Sequence, residues 1–122
     1  MGAAPERQHI LVVEDDRALR QIAARVLRDA GYTASEAASG TQALEQLAAR
    51  HPDLLITDNR MPDMGGNALI ADVRARFPDM PILRISGSDT IAGADHTVPT
   101  LAKPFSVKEL LSAVGALLDP RP

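Results

Sequence analysis

The stretch Ile10-Leu11-Val12-Val13-Glu14-Asp15-Asp16 decides how the rest of the chain is read. Four consecutive apolar residues leave no polar alternation, so the run fits a strand buried on both faces, as at the centre of a parallel sheet. Three acids follow at once. Strands of a parallel sheet all end at one edge, so whatever follows each apolar run converges there on a single pocket. The same pattern recurs down the chain: Leu54-Leu55-Ile56-Thr57 leads to Asp58, Pro81-Ile82-Leu83-Arg84-Ile85 to Ser86, and the short Thr100-Leu101-Ala102 to Lys103. A pocket holding acids, a hydroxyl and an ammonium suits a divalent cation and a phosphoryl group.

Between these runs lie helical patterns, giving a βαβα order that predicts an α/β fold with a parallel sheet covered by helices on both faces. Leu19, Ile22, Ala23, Val26, Leu27 and Ala30 recur at helical spacing, and Gly31 stops that helix. Thr33 to Ala37 is a weaker strand. Ser39-Gly40-Thr41-Gln42 is a capping box opening a helix that runs through Leu44 and Leu47 to the His51-Pro52 break. Leu69, Ile70, Val73 and Phe77 mark a third helix, closed by Pro78. A second capping box, Ser106-Val107-Lys108-Glu109, starts a last helix carrying Leu110, Leu111, Val114, Leu117 and Leu118.

Composition narrows the function classes. The 122 residues make one domain, able to bury a core without disulfides, and there is no cysteine for a thiolate metal site. A net charge of −3 gives no general basis for nucleic-acid binding. No apolar run approaches the roughly eighteen residues of a membrane span. Met1 to Gln8 lacks the apolar core of a signal peptide, so a cytoplasmic protein is the expectation. The expected layout is a flexible tail at 1–8, one domain at 9–119 and a C-terminal tail at 120–122.

Each candidate residue also has a purely structural reading. Asp near a helix N-terminus caps free amides, and for Asp16 that is the better account. Clustered carboxylates nevertheless repel one another unless something positive sits among them, and hard oxygen ligands suit Mg²⁺ or Mn²⁺. No Gly-rich loop follows the first strand, so a metal-free phosphate cradle is excluded. Asp58 can serve as a turn residue before Arg60-Met61-Pro62 or, beside the first-strand acids, as a nucleophile whose repulsion from phosphoryl oxygens a cation screens. Lys103, ahead of Pro104 and Phe105, can be a solvated lysine or an ammonium holding a phosphoryl oxygen.

In order and spacing, Ile10-Leu11-Val12-Val13-Glu14-Asp15-Asp16, Asp58-Asn59-Arg60-Met61-Pro62-Asp63-Met64-Gly65-Gly66, Ile85-Ser86-Gly87 and Ala102-Lys103-Pro104-Phe105 resemble the receiver domain of two-component response regulators, from about Ile10 to Leu118. The resemblance implies a five-stranded sheet of order 2-1-3-4-5 and a cis peptide before Pro104. It implies that Asp58 accepts a phosphoryl group from a phosphohistidine on a sensor histidine kinase or histidine phosphotransfer protein. Asp15, Asp58 and the Arg60 backbone carbonyl would bind Mg²⁺, with Glu14 acting mainly through a bound water. Ser86 would hydrogen-bond the phosphoryl group, and Lys103 would pair with it. Such a domain is a signalling phosphoacceptor rather than an enzyme.

Two departures from the family bear on output. Ser86 and Lys103 are only 17 positions apart, so the helix joining the fourth and fifth strands is expected to be short or absent. Arg84 is read in support, as a charge facing solvent where that helix would lie. Thr90 to Val98 is expected to be the most mobile segment and to become ordered on phosphorylation. Thr100 stands where the family commonly carries an aromatic ring whose rotation couples to phosphorylation. The short fourth crossover and the Ile85-Ser86-Gly87 turn resemble receivers attached to hybrid sensor kinases, which hand phosphate on. Two other classes stay open: a Mg²⁺-dependent aspartyl-nucleophile phosphatase, disfavoured by Arg60 where its general acid would stand, and a phosphorylation-independent pseudo-receiver scaffold.

Overall fold

The computed structural model describes residues 8–59, 63–87 and 98–118. The chain runs β1 (His9–Val13), α1 (Arg17–Asp29), β2 (Thr33–Ala37), α2 (Gly40–Ala49), β3 (Leu54–Asp58), α3 (Gly66–Arg76), β4 (Ile82–Ser86), β5 (Thr100–Ala102) and α4 (Val107–Leu118). The five strands form one parallel sheet of order β2-β1-β3-β4-β5. No helix among the described residues is long and apolar enough to cross a membrane.

Strand alternation builds two cores. Ile10 and Val12 of β1 point to one face, where they meet Ala23 and Leu27 of α1 and Leu110 and Val114 of α4. Leu11 and Val13 point to the other, against Ala43 and Leu47 of α2 and Leu69, Ile70 and Val73 of α3. Topology explains that division. Right-handed crossovers place a helix on one face when the chain steps outward from β1 to β2, and on the opposite face when it steps back over β1 to β3 and on to β4. The reversal lies between β1 and β3, so their C-terminal ends flank the crevice where doubly wound sheets bind ligands.

Helix ends follow local chemistry. The Asp16 side chain accepts from Leu19 N at 3.1 Å and caps α1. At the other end Gly31, at φ 106°, donates to Arg28 O, while Tyr32 N reaches Leu27 O. That left-handed residue closes the helix at the expected glycine. Ser106 and Glu109 form the full reciprocal box at α4, at 3.0 and 2.9 Å. The box at α2 differs from expectation. Ser39 Oγ accepts from Gln42 N, but Gln42 Oε1 accepts from Ala38 N instead of the Ser39 amide.

Three further expectations change. Arg84 does not face solvent: it is 2% exposed. Its alternation with Leu83 and Ile85 turns it toward the α3 face, where Nη2 donates to Asn67 Oδ1 at 3.0 Å and Nη1 to Thr100 Oγ1 at 3.5 Å. A guanidinium can lie in that core because neighbouring oxygens replace its water. Ile22 stays 60% exposed, since α1 buries the narrower stripe of Ala23, Ala24 and Leu27. Val98, counted in the mobile segment, is buried in the α2/α3 core at 3% exposure. The rest of the expected ordering segment and the shortened helix fall on 88–97, outside the described residues.

Candidate functional site

Paired registers carry the acids together. Val13 lies opposite Thr57, so Glu14 and Asp15 leave β1 beside Asp58, the last residue of β3. One carboxylate oxygen from each of Glu14, Asp15 and Asp58 lies within 4.8 Å of the others. Glu14 and Asp58 are buried, whereas Asp15 is exposed.

Lys103 supplies the counter-charge. It follows β5 directly, its amide donating to Ser86 O at 2.8 Å, and the peptide joining it to Pro104 is cis, as the resemblance implies. Its Nζ lies 2.9 Å from Glu14 Oε1 and 3.3 Å from Asp58 Oδ2. Burial by itself would lower the Lys103 pKa, but the carboxylates of Glu14 and Asp58 more than offset it and hold the pKa above its usual value. Glu14 shows the opposite balance. Burial lifts its carboxyl to about 7, with Asp15 and Asp58 adding to the rise, against the lowering contacts from Lys103 and the Asp16 amide.

The remaining oxygens are also held. Asn59 N donates to Asp58 Oδ1 at 2.7 Å, and Asp16 N to Glu14 Oε2 at 3.0 Å. Arg20 Nη1 donates to Glu14 O at 2.9 Å, and its Nε pairs with Glu36 at 3.3 Å, which ties α1 and β2 behind the acids. Ser86 sits at the same edge: Asp58 is opposite Ile85, and Ser86 is the next residue, 3% exposed. Gly87 lies beside the Lys103 stem, a Cβ there falling 3.8 Å from two of its carbons.

The structure thus brings Glu14, Asp15, Asp58, Ser86 and Lys103 to one edge of the sheet, and leaves Asp16 as a helix cap. Arg60, the expected carbonyl ligand, lies outside the described residues. The donor set fits a hard divalent cation: three carboxylates within reach of one another, one of them held far above its ordinary pKa by burial and its like-charged neighbours.

Sequence reasoning missed Asp63. Its carboxylate leaves the loop after β3 to cap α2, accepting from Gly40 N at 3.0 Å, Thr41 N at 2.8 Å and the Thr41 hydroxyl. A cap supplied from 22 residues downstream has no local signature, because capping motifs are read over three or four residues.

Comparisons with known proteins show the family. The family model for the response regulator receiver domain matches residues 10–115. The response regulator MprA of Mycobacterium ulcerans is 40% identical in an alignment 117 positions long that covers 89% of this chain and 49% of that protein. The chain therefore spans about half the length of the curated relatives it matches. The receiver domain of the hybrid histidine kinase CckA superposes with a TM-score of 0.80 at 38% identity, covering 91% of this chain and 99% of that one. The signal receiver domain of an HD domain-containing protein from Pseudomonas fluorescens Pf-5 gives a TM-score of 0.88 at 28% identity, over 98% and 93%.

Proposed function

The chain belongs to the response regulator receiver family, and on that premise we propose that Asp58 is the residue that takes up the phosphoryl group. The supporting observation is the meeting of Glu14, Asp15, Asp58 and Lys103 at the C-terminal edge of β1, β3 and β5. An oxygen of Asp58 attacks phosphorus in line, forming an acyl phosphate. The bond from phosphorus to the donor's imidazole nitrogen breaks, and its electron pair leaves with the imidazole.

Asp15 and Asp58 would hold Mg²⁺ or Mn²⁺ through their carboxylates and Glu14 mainly through a bound water, and the resemblance adds the backbone carbonyl of Arg60, which lies outside the described residues. A cation bound there supplies charge neutralisation between the attacking carboxylate and the phosphoryl oxygens. Lys103 already lies between Glu14 and Asp58, so transfer of its ammonium to a phosphoryl oxygen needs little movement. Ser86 offers its hydroxyl to the same group. No residue here needs to act as a general base: positioning and charge neutralisation suffice.

The donor is a phosphohistidine on a sensor histidine kinase or a histidine phosphotransfer protein, in the cytoplasm. The likeness to the CckA receiver, together with Thr100 in place of a ring, supports a receiver that hands phosphate on. The test is incubation with a small phosphodonor and Mg²⁺, followed by intact mass measurement. One hydroxylamine-labile phosphoryl adduct, present in the native protein and absent from Asp58→Asn, is the expected result. An adduct that survives the substitution overturns the assignment.

A further inference from the structure

The loop after Asp58 is tied to a helix from another part of the chain. Asp63, five residues beyond Asp58, turns both carboxylate oxygens onto the first turn of α2: Oδ1 accepts from Gly40 N, and Oδ2 from Thr41 N and the Thr41 hydroxyl. The Thr41 contacts, hydroxyl first and amide second, hold the Asp63 carboxyl down to about 2. Met64 adds an apolar contact, its Cγ and Sδ occupying the space a Cβ on residue 40 would fill.

The first turn of α2 leads back through Ser39 and Ala38 to Ala37, whose carbonyl accepts from Glu14 N at 3.0 Å. The acidic cluster is therefore closed twice. One closure is the pairing of β1 with β3, which sets Val13 opposite Thr57. The other runs from Asp58 along its loop to Asp63, through the start of α2, to Ala37 and Glu14. Lys103 offers one ammonium to Glu14 and Asp58, so three carboxylates sharing it still repel one another and spread apart where their contacts allow it. Two closures resist that spreading, so the site is spaced for a cation before one arrives.

We propose that Asp63 is a positioning residue: its bridge to α2 holds Asp58 at the spacing from Glu14 and Asp15 that cation binding and phosphoryl transfer require. The inference rests on the reading of that cluster as the Mg²⁺ and phosphorylation site. Ser39 provides the control. It caps the same helix end, accepting from Gln42 N at 3.1 Å, but it does so from the segment entering α2 and not from the Asp58 loop.

The experiment measures the Mg²⁺ dissociation constant, the phosphorylation rate at saturating Mg²⁺ and the urea midpoint in EDTA for the native chain, Asp63→Ala, Asp63→Asn and Ser39→Ala. Both alanine variants should lose stability. Only Asp63→Ala should weaken Mg²⁺ binding, by about fivefold or more, and slow phosphorylation. Asp63→Asn, whose single amide oxygen can accept at only one of the two carboxylate positions, should lie between Asp63→Ala and the native chain. By reciprocity, saturating Mg²⁺ should slow hydrogen exchange at the Gly40 and Thr41 amides of the native chain, a readout that needs no variant to fold. Equal Mg²⁺ affinity in Asp63→Ala and the native chain overturns the inference, as does equal weakening by Ser39→Ala or unchanged exchange at residues 40 and 41. A native chain that neither binds Mg²⁺ nor is phosphorylated refutes the underlying reading, and the inference falls with it.

Discussion

Replacing Lys103 with Met should make the domain's stability depend on pH in a way that can be worked out from Glu14. Met keeps the apolar stem against Gly87 and removes the ammonium that lies 2.9 Å from Glu14 and 3.3 Å from Asp58. Glu14 titrates at about 7 in the fold, raised from 4.5. A carboxyl raised in the folded state contributes most below its unfolded pKa, and that contribution is lost as pH rises through the folded value. In metal-free buffer the native domain should therefore weaken between pH 4.5 and 7, by up to about 3 kcal/mol, and then level off. Without Lys103 the Glu14 pKa climbs further, so the decline continues above pH 7 at about 1.4 kcal/mol per unit. The difference between variant and native chain arising from Glu14 should be near zero at pH 5.5 and should grow as pH rises above 7. Loss of the Asp58 contact adds roughly 1 kcal/mol at both pH values. Urea unfolding in EDTA at pH 5.5, 7 and 8.5 measures it. Added Mg²⁺ should bind the variant at least as tightly as the native chain, because a like charge has left the cluster. A destabilisation independent of pH, or a weaker Mg²⁺ affinity, would refute the reasoning.

The two acids after Glu14 should separate cleanly: Asp15→Ala should weaken Mg²⁺ binding strongly, whereas Asp16→Ala should cost about 1 kcal/mol of stability through its lost contact to Leu19 N and leave affinity alone. Calorimetric titration and urea unfolding distinguish them, and equal losses of affinity would contradict the division of roles. Arg84→Ala should destabilise the domain by about 3 kcal/mol, since it opens a cavity in the α3-facing core and leaves the Asn67 and Thr100 oxygens without that donor. A loss below about 1 kcal/mol in urea unfolding would show that the guanidinium is not held as described. Ser106→Ala should cost about 1 kcal/mol by breaking the reciprocal contact with Glu109, with phosphorylation unchanged.

Element types and their order were legible in the sequence because each rests on local information. A continuous apolar run marks a strand buried on both faces, helical spacing marks a covering helix, and Gly31 and the Ser106-Glu109 pair mark ends within a few residues. The convergence of Glu14, Asp15, Asp58, Ser86 and Lys103 was legible for the same reason, since a parallel sheet sends the residue after every strand to one edge. What only the tertiary structure decided are contacts between residues far apart in the chain that belong to no motif. Arg84 looks solvent-facing in sequence, because its cover includes Asn67, 17 residues upstream, and Thr100, 16 downstream. Asp63 looks like a turn residue until α2 is seen against it. Glu14 is legible as a pocket acid, but the burial that moves its titration to about 7 is not. Burial and electrostatic environment are properties of position in space, and the chain acquires them only when its layers close.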